Sequence, residues 1–190
     1  MTLLRNWYFV QTAAINDEAQ GVAFKDEIMG RLIRFVSSHE VGHTLGLPHN
    51  MGSSVAYPVD SLRSATFTQK YGTAPSIMDY ARFNYIAQPE DKGVALMPNV
   101  GPYDKHSINW GYRPILNQTA DEEKATLNQW ILDKAEDPIY RFGRQQRPVI
   151  DPSSQTEDLG DDAVKASNYG IANLKRIVPK LIEWTYENGK

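Results

Sequence analysis

The stretch "HEVGHTLGLPHN", residues 39–50, gathers three of the chain's four histidines, one glutamate and two glycines into twelve positions. On an α-helix, residues four apart share a face one turn from each other, so His39 and His43 can aim two imidazole nitrogens at one ion. Glu40 sits beside His39 but offset around the helix, where it reaches a water on that ion without ligating it. Gly46 falls three residues past His43, at the point where the helix must stop and the chain turn sharply. Glycine accepts the positive φ of such a turn at no steric cost. Pro48 then prevents helix continuation, and His49 arrives from outside the helix as a third ligand. Three neutral histidines leave one position of a tetrahedral Zn2+ open for water, whose pKa the metal lowers toward roughly 7. The pattern therefore points to one catalytic zinc ion held by His39, His43 and His49, with Glu40 as general base. The bland alternative is a helix whose polar residues fall this way by chance. It leaves both the ligand register of three histidines and the breaker glycine unexplained.

The elements that must position these residues are mostly helical. Leu3, Leu4, Trp7, Phe9 and Val10 recur at spacings that predict a helix over 3–14 with a buried face. The segment from about Asp26 to Leu45 is helical again, and its stripe of Ile28, Leu32, Phe35 and Val36 runs straight into His39 and His43. Residues 50–77, rich in Gly, Ser, Pro and Thr, read as a long structured loop with about two short helical turns. "PYDKHSINWGY", 102–112, predicts a helix closed by Gly111. "TADEEK" places acids in a first turn and opens a helix over 119–136. "QQRPVIDPSSQTEDLG" reads as irregular. A long helix is expected from Asp161 or Asp162 to about Asn188, ended or kinked by Pro179.

Composition sets the outer bounds. The 190 residues are 41% hydrophobic and 23% charged, a globular balance long enough to bury a real core. A net charge of −3, with Lys and Arg scattered among acids, gives no basic stripe for nucleic acid or an anionic membrane. No cysteine is present, so a transition-metal site must use His and carboxylates. No apolar run approaches the roughly 18 residues of a membrane span, and the first residues lack the layout of a signal peptide.

The zinc string followed by "SIMDY", 76–80, resembles the metzincin metallopeptidases, whose signature is HExxHxxGxxH with a methionine turn beneath the metal. The resemblance implies that Met78 is a hydrophobic floor under the imidazoles. It also implies that Tyr80, two residues on, binds zinc or stabilises the tetrahedral oxyanion, as in astacin-like and serralysin-like members. "YDKHSINWGY" is similar to the helix that closes the metzincin core, with Asp104 and Ile108 at matching places and His106 on its surface. "RNWYFVQTAA", "HEVGHTLGLPHNMGSS", "SIMDYARFNY" and "DLGDDAVKASNYGI" together look like one branch, the large bacterial met-zincin domain zinc metalloproteases. That resemblance covers nearly the whole chain. It implies a peptidase acting on peptide or protein substrates at the bacterial cell envelope, in the periplasm or outside the cell. Asn50, which follows the third histidine where several metzincin groups have an acid, receives no role from it.

Metzincins place a twisted sheet before the zinc helix, and its edge strand holds the substrate through backbone hydrogen bonds. Only about 25 residues precede this helix and they read as helical, too few for four or five strands. The expected fold is therefore mainly α, the lower, C-terminal half of a metzincin catalytic domain with little or no sheet. Residues 1–113 would form the zinc-binding core and 114–190 a helical extension packed on it, with the upstream part of a parent protein as partner. Such a fragment is expected to bind zinc but to show little or no endopeptidase activity. Two other functions stay open: a zinc hydrolase of non-peptide amides or esters, and a non-catalytic module that zinc merely stabilises. An intact Glu40 speaks against the second, because a purely structural site has no use for a base. The acids Glu157, Asp158, Asp161 and Asp162 admit a calcium reading. Against it stands an ordinary solvated loop with a helix start.

Overall fold

The computed structural model describes residues 2–148 and 150–186, and among these it is helical with no strand. Seven α-helices follow in order: α1 (Thr2–Thr12), α2 (Asp26–Thr44), α3 (Ala65–Tyr71), α4 (Pro102–Tyr112), α5 (Ala120–Leu132), α6 (Ala163–Ile177) and α7 (Leu181–Thr185). Single 3₁₀ turns punctuate the loops, two of them, Ser54–Ala56 and Ser61–Arg63, in the stretch before α3. None of the helices is long and apolar enough to cross a membrane.

Local chemistry explains most of the boundaries. Thr119 accepts from the Glu122 backbone N–H while the Glu122 carboxylate accepts from Thr119, a reciprocal cap that starts α5. Asp162 starts α6 by accepting from the Lys165 N–H. Pro179 ends α6 as expected, converting the chain to one 3₁₀ turn before α7. The expected end near Asn188 lies outside the described residues. Gly111 does not close α4, which runs on to Tyr112.

Two clusters form the core. One joins Tyr8 and Phe9 of α1, Ile28 and Leu32 of α2, Phe83, Met97 and Ile177. The other joins Tyr57, Val59, Leu62, Ala81, Ile86, Leu159 and Ala166. Both draw on residues beyond 114, so the C-terminal part supplies core as well as surface. Helix α2 thus lies on the first cluster by Ile28 and Leu32, with Phe35 packed against its edge.

The α1 face differs from the periodicity reading. Leu3 and Val10 are exposed, whereas Tyr8, Phe9 and Thr12 are buried. Positions 3 and 10 lie seven apart and share one side, while 4, 8 and 12 form the line that meets the core. Tyr8 is buried because its ring packs edge-on against Phe24 and Phe83 and its hydroxyl accepts from Asn16 Nδ2 at 3.2 Å.

Candidate metal centre

Helix α2 delivers His39 and His43, and its ending delivers His49. The end is a Schellman turn: Leu47 N–H donates to Gly42 O at 3.0 Å and Gly46 N–H to His43 O at 2.9 Å, with Gly46 at φ +84°. The turn folds the Leu47 carbonyl back over the helix, where it accepts from His43 Nδ1 at 2.9 Å. Glycine at 46 therefore both stops α2 and orients the second histidine.

Each of the three imidazoles commits its Nδ1 proton to an oxygen. His39 donates to Ile77 O at 2.7 Å, His43 to Leu47 O, and His49 to Gln145 Oε1 at 3.0 Å. All three Nε2 lone pairs are then left facing one another, with His49 Nε2 3.3 Å from that of His39 and 3.1 Å from that of His43. Three imidazole nitrogens converging at this spacing could hold one metal ion among them. Tetrahedral zinc with bonds of about 2.0–2.1 Å sets its nitrogens about 3.3–3.4 Å apart, close to what is found. Burial, the largest influence, together with the two neighbouring imidazoles holds the His39 pKa below its usual value, keeping it neutral. These three side chains are the group among the described residues placed to share one ion.

A later loop segment forms the support. Residues 72–79 are buried without interruption. Met78 is fully buried with its thioether against α2, where a Cβ on Gly42 would stand 2.3 Å from Met78 Sδ. Gly42 thus lets the methionine approach the helix between two ligands. Tyr80, more than a third exposed, stacks on His39 with ring centroids 5.3 Å apart and tilts over His49 at 4.4 Å. Glu40 is exposed on the same side and, with Trp7, Phe35, Val36, Tyr80 and Arg82, lines a cavity of ≈ 330 Å³.

Asp104 connects α4 to this floor. Its carboxylate accepts from Ser76 Oγ, from the Ile77 N–H at 2.8 Å and from the Gly101 N–H at 2.7 Å. Burial pushes its pKa up, and the three hydrogen bonds work against that shift. Since Ile77 O accepts from His39, α4 reaches the histidine cluster through one residue, Ile77. His106 is not a free surface residue: it is half-buried with its ring edge-on to Tyr140 at 5.0 Å. Burial lowers its pKa.

The acids of 157–162 are engaged by protein groups. Glu157 pairs with Arg82, Asp158 accepts from Ser54 Oγ, Asp161 from the Val59 N–H, and Asp162 caps α6. Sequence reasoning gave Asn50 no role and passed over Gln145 and the Asp79–Ser54–Asp158 bridge. Their partners lie far along the chain, so no local pattern could show the pairings.

Asp79 gives a testable pH dependence. It is 1% exposed, one oxygen accepts from the Ser54 N–H at 2.6 Å, and the other has no hydrogen-bond partner. Burial first, and Asp158 nearby, push its pKa well above the usual carboxylate range. A raised acid pKa means the folded state binds the proton more tightly, so this stabilisation is complete below about pH 4 and is lost as pH rises through the folded value. Asp79→Asn, neutral at every pH, should therefore gain melting temperature relative to the parent chain as pH increases. Parallel melting curves from pH 4 to 8 check this, and a constant difference would refute it.

No curated protein and no solved structure matches the chain. The sequence model of the Met-zincin family matches residues 21–190, a span that holds the three histidines, Glu40, Met78, Tyr80, Asp104 and Gln145. With the signature in register and its imidazoles converged on one point, the chain belongs to the Met-zincin family.

Proposed function

We propose that the protein is a zinc metallopeptidase in which His39, His43 and His49 hold the metal, Glu40 is the general base and Tyr80 stabilises the oxyanion. The observation that carries this reading is the commitment of all three Nδ1 protons, which turns three Nε2 lone pairs onto one centre beside a free carboxylate. When bound, zinc supplies Lewis acidity, polarising the scissile carbonyl and making water acidic enough to lose a proton near neutral pH. Glu40 accepts that proton and passes it to the leaving amine. The Tyr80 hydroxyl donates to the developing negative oxygen from its place over His39 and His49. The apolar side chains beside Glu40 offer a substrate side chain a place out of water, which suits a peptide. Cleavage at the cell envelope or outside the cell belongs to the same reading.

Fixing an extended peptide takes backbone hydrogen bonds along a strand edge, and no strand among the described residues supplies one. Lost positioning forfeits up to roughly 7–11 kcal/mol of catalytic advantage. These 190 residues should therefore bind one zinc per chain and cleave a mixed peptide library slowly. Chelator should remove both metal and cleavage, and His49→Ala should prevent zinc uptake. Elemental analysis finding no zinc after exposure to the metal would sink the reading.

A further inference from the structure

We infer that residues 141–145 form a clasp that sets the third ligand, with Gln145 as the positioning residue that decides how tightly the metal is held. The inference rests on the zinc reading above and deepens it. His39 and His43 are oriented by backbone carbonyls, one in the buried turn and one four residues away on the helix ending. His49 lies off the helix, and its Nδ1 is held by a side chain 96 residues further along the chain, Gln145. The ligand with the least local support therefore depends on the most distant partner.

The clasp itself is pinned by the residue next to that ligand. Asn50 is fully buried and uses both ends of its amide: Nδ2 donates to Arg141 O at 2.9 Å, and Oδ1 accepts from the Gly143 N–H at 2.8 Å. Its own N–H donates to Met78 O at 3.1 Å, and it forms an antiparallel bridge with Arg144. Gly52 N–H adds a bond to Gly143 O at 3.3 Å. The backbones meet here so closely that a Cβ on Gly143 would lie 2.6 Å from the Gly52 Cα. One short stretch, His49 to Gly52, thus carries a ligand, the peg that anchors the clasp, and the glycine that admits it. With the clasp immobile, Gln145 Oε1 accepts the Nδ1 proton of His49 and leaves its Nε2 lone pair on the metal. Without that acceptor the ring is free to rotate and to present either nitrogen.

Zinc affinity of the full chain, measured by competition with a chromophoric chelator, tests the clasp. Gln145→Ala should bind zinc about 10–100-fold more weakly while melting at the parent temperature without metal. Its Co2+ form should show altered visible absorption, because the geometry at the third nitrogen changes. Gln145→Glu restores an acceptor, in charged form, and should bind at least as tightly as the parent. Alanine and parent affinities within about twofold, with identical Co2+ spectra, would overturn the inference while leaving the zinc reading intact. Equal weakening by alanine and glutamate with a lowered metal-free melting temperature would also overturn it, as the mark of a merely structural role. No zinc uptake by the parent chain would overturn both readings.

Discussion

Glu40→Gln is expected to leave zinc bound and to slow peptide hydrolysis on the order of 10²–10⁴-fold. The amide keeps the size of the carboxylate and its ability to hydrogen-bond, but it has no basic site for a proton at neutral pH. Glu40 is one residue from a ligand yet exposed and offset from the imidazole cluster, so its replacement does not disturb His39, His43 or His49. The loss should fall on the turnover number more than on KM, because the proton moves only as the transition state forms. Zinc content and kinetics measured on the same preparation check this. A variant within about tenfold of the parent would show that another group is the base. The competing carboxylate on the same cavity is Glu157, and it is paired with Arg82.

The largest expected effect on stability is at Asp104. Asp104→Ala should destabilise the metal-free chain by about 3 kcal/mol or more, because each buried donor left without an acceptor costs roughly 1–3 kcal/mol. Three donors lose their partner at once: Ser76 Oγ, the Ile77 N–H and the Gly101 N–H. A loss of that size is a large part of the roughly 5–15 kcal/mol that holds a domain folded. Zinc affinity should fall as well, since Ile77, whose carbonyl accepts from His39, loses the anchor on its N–H. Asp104→Asn keeps one accepting oxygen and should lose less. Denaturant unfolding of the three proteins checks the order, and a cost below about 1 kcal/mol for alanine would mean that the donors find other partners.

His106 and the first helix show where sequence reasoning stopped. A histidine with no patterned neighbour reads as surface, yet the Pro138–Tyr140 turn brings Tyr140 onto its ring. In α1 the apolar residues occupy more than one side, and the periodicity reading included Leu3 and Val10, which are exposed. The core chose the line through Tyr8 because Phe24 and Phe83 stand there.

The three-histidine cluster was legible in the sequence by itself because it depends on local geometry. The i,i+4 spacing of His39 and His43 places both on one helical face. Gly46 ends that helix by hydrogen bonds within five residues, and the ending returns His49 to the same point. Helix starts at Thr119 and Asp162 were readable for the same reason, since a cap reaches three residues ahead. What makes those histidines a site was decided only by tertiary structure. His39 takes its orientation from Ile77, 38 residues away, and His49 from Gln145, 96 residues away. Asp104 holds the first of these supports and Asn50 the second, each through hydrogen bonds to backbone far along the chain. Such pairings leave no period and no spacing in one sequence, because a hydrogen bond between distant segments depends on how the core packs them and not on the count of residues between them.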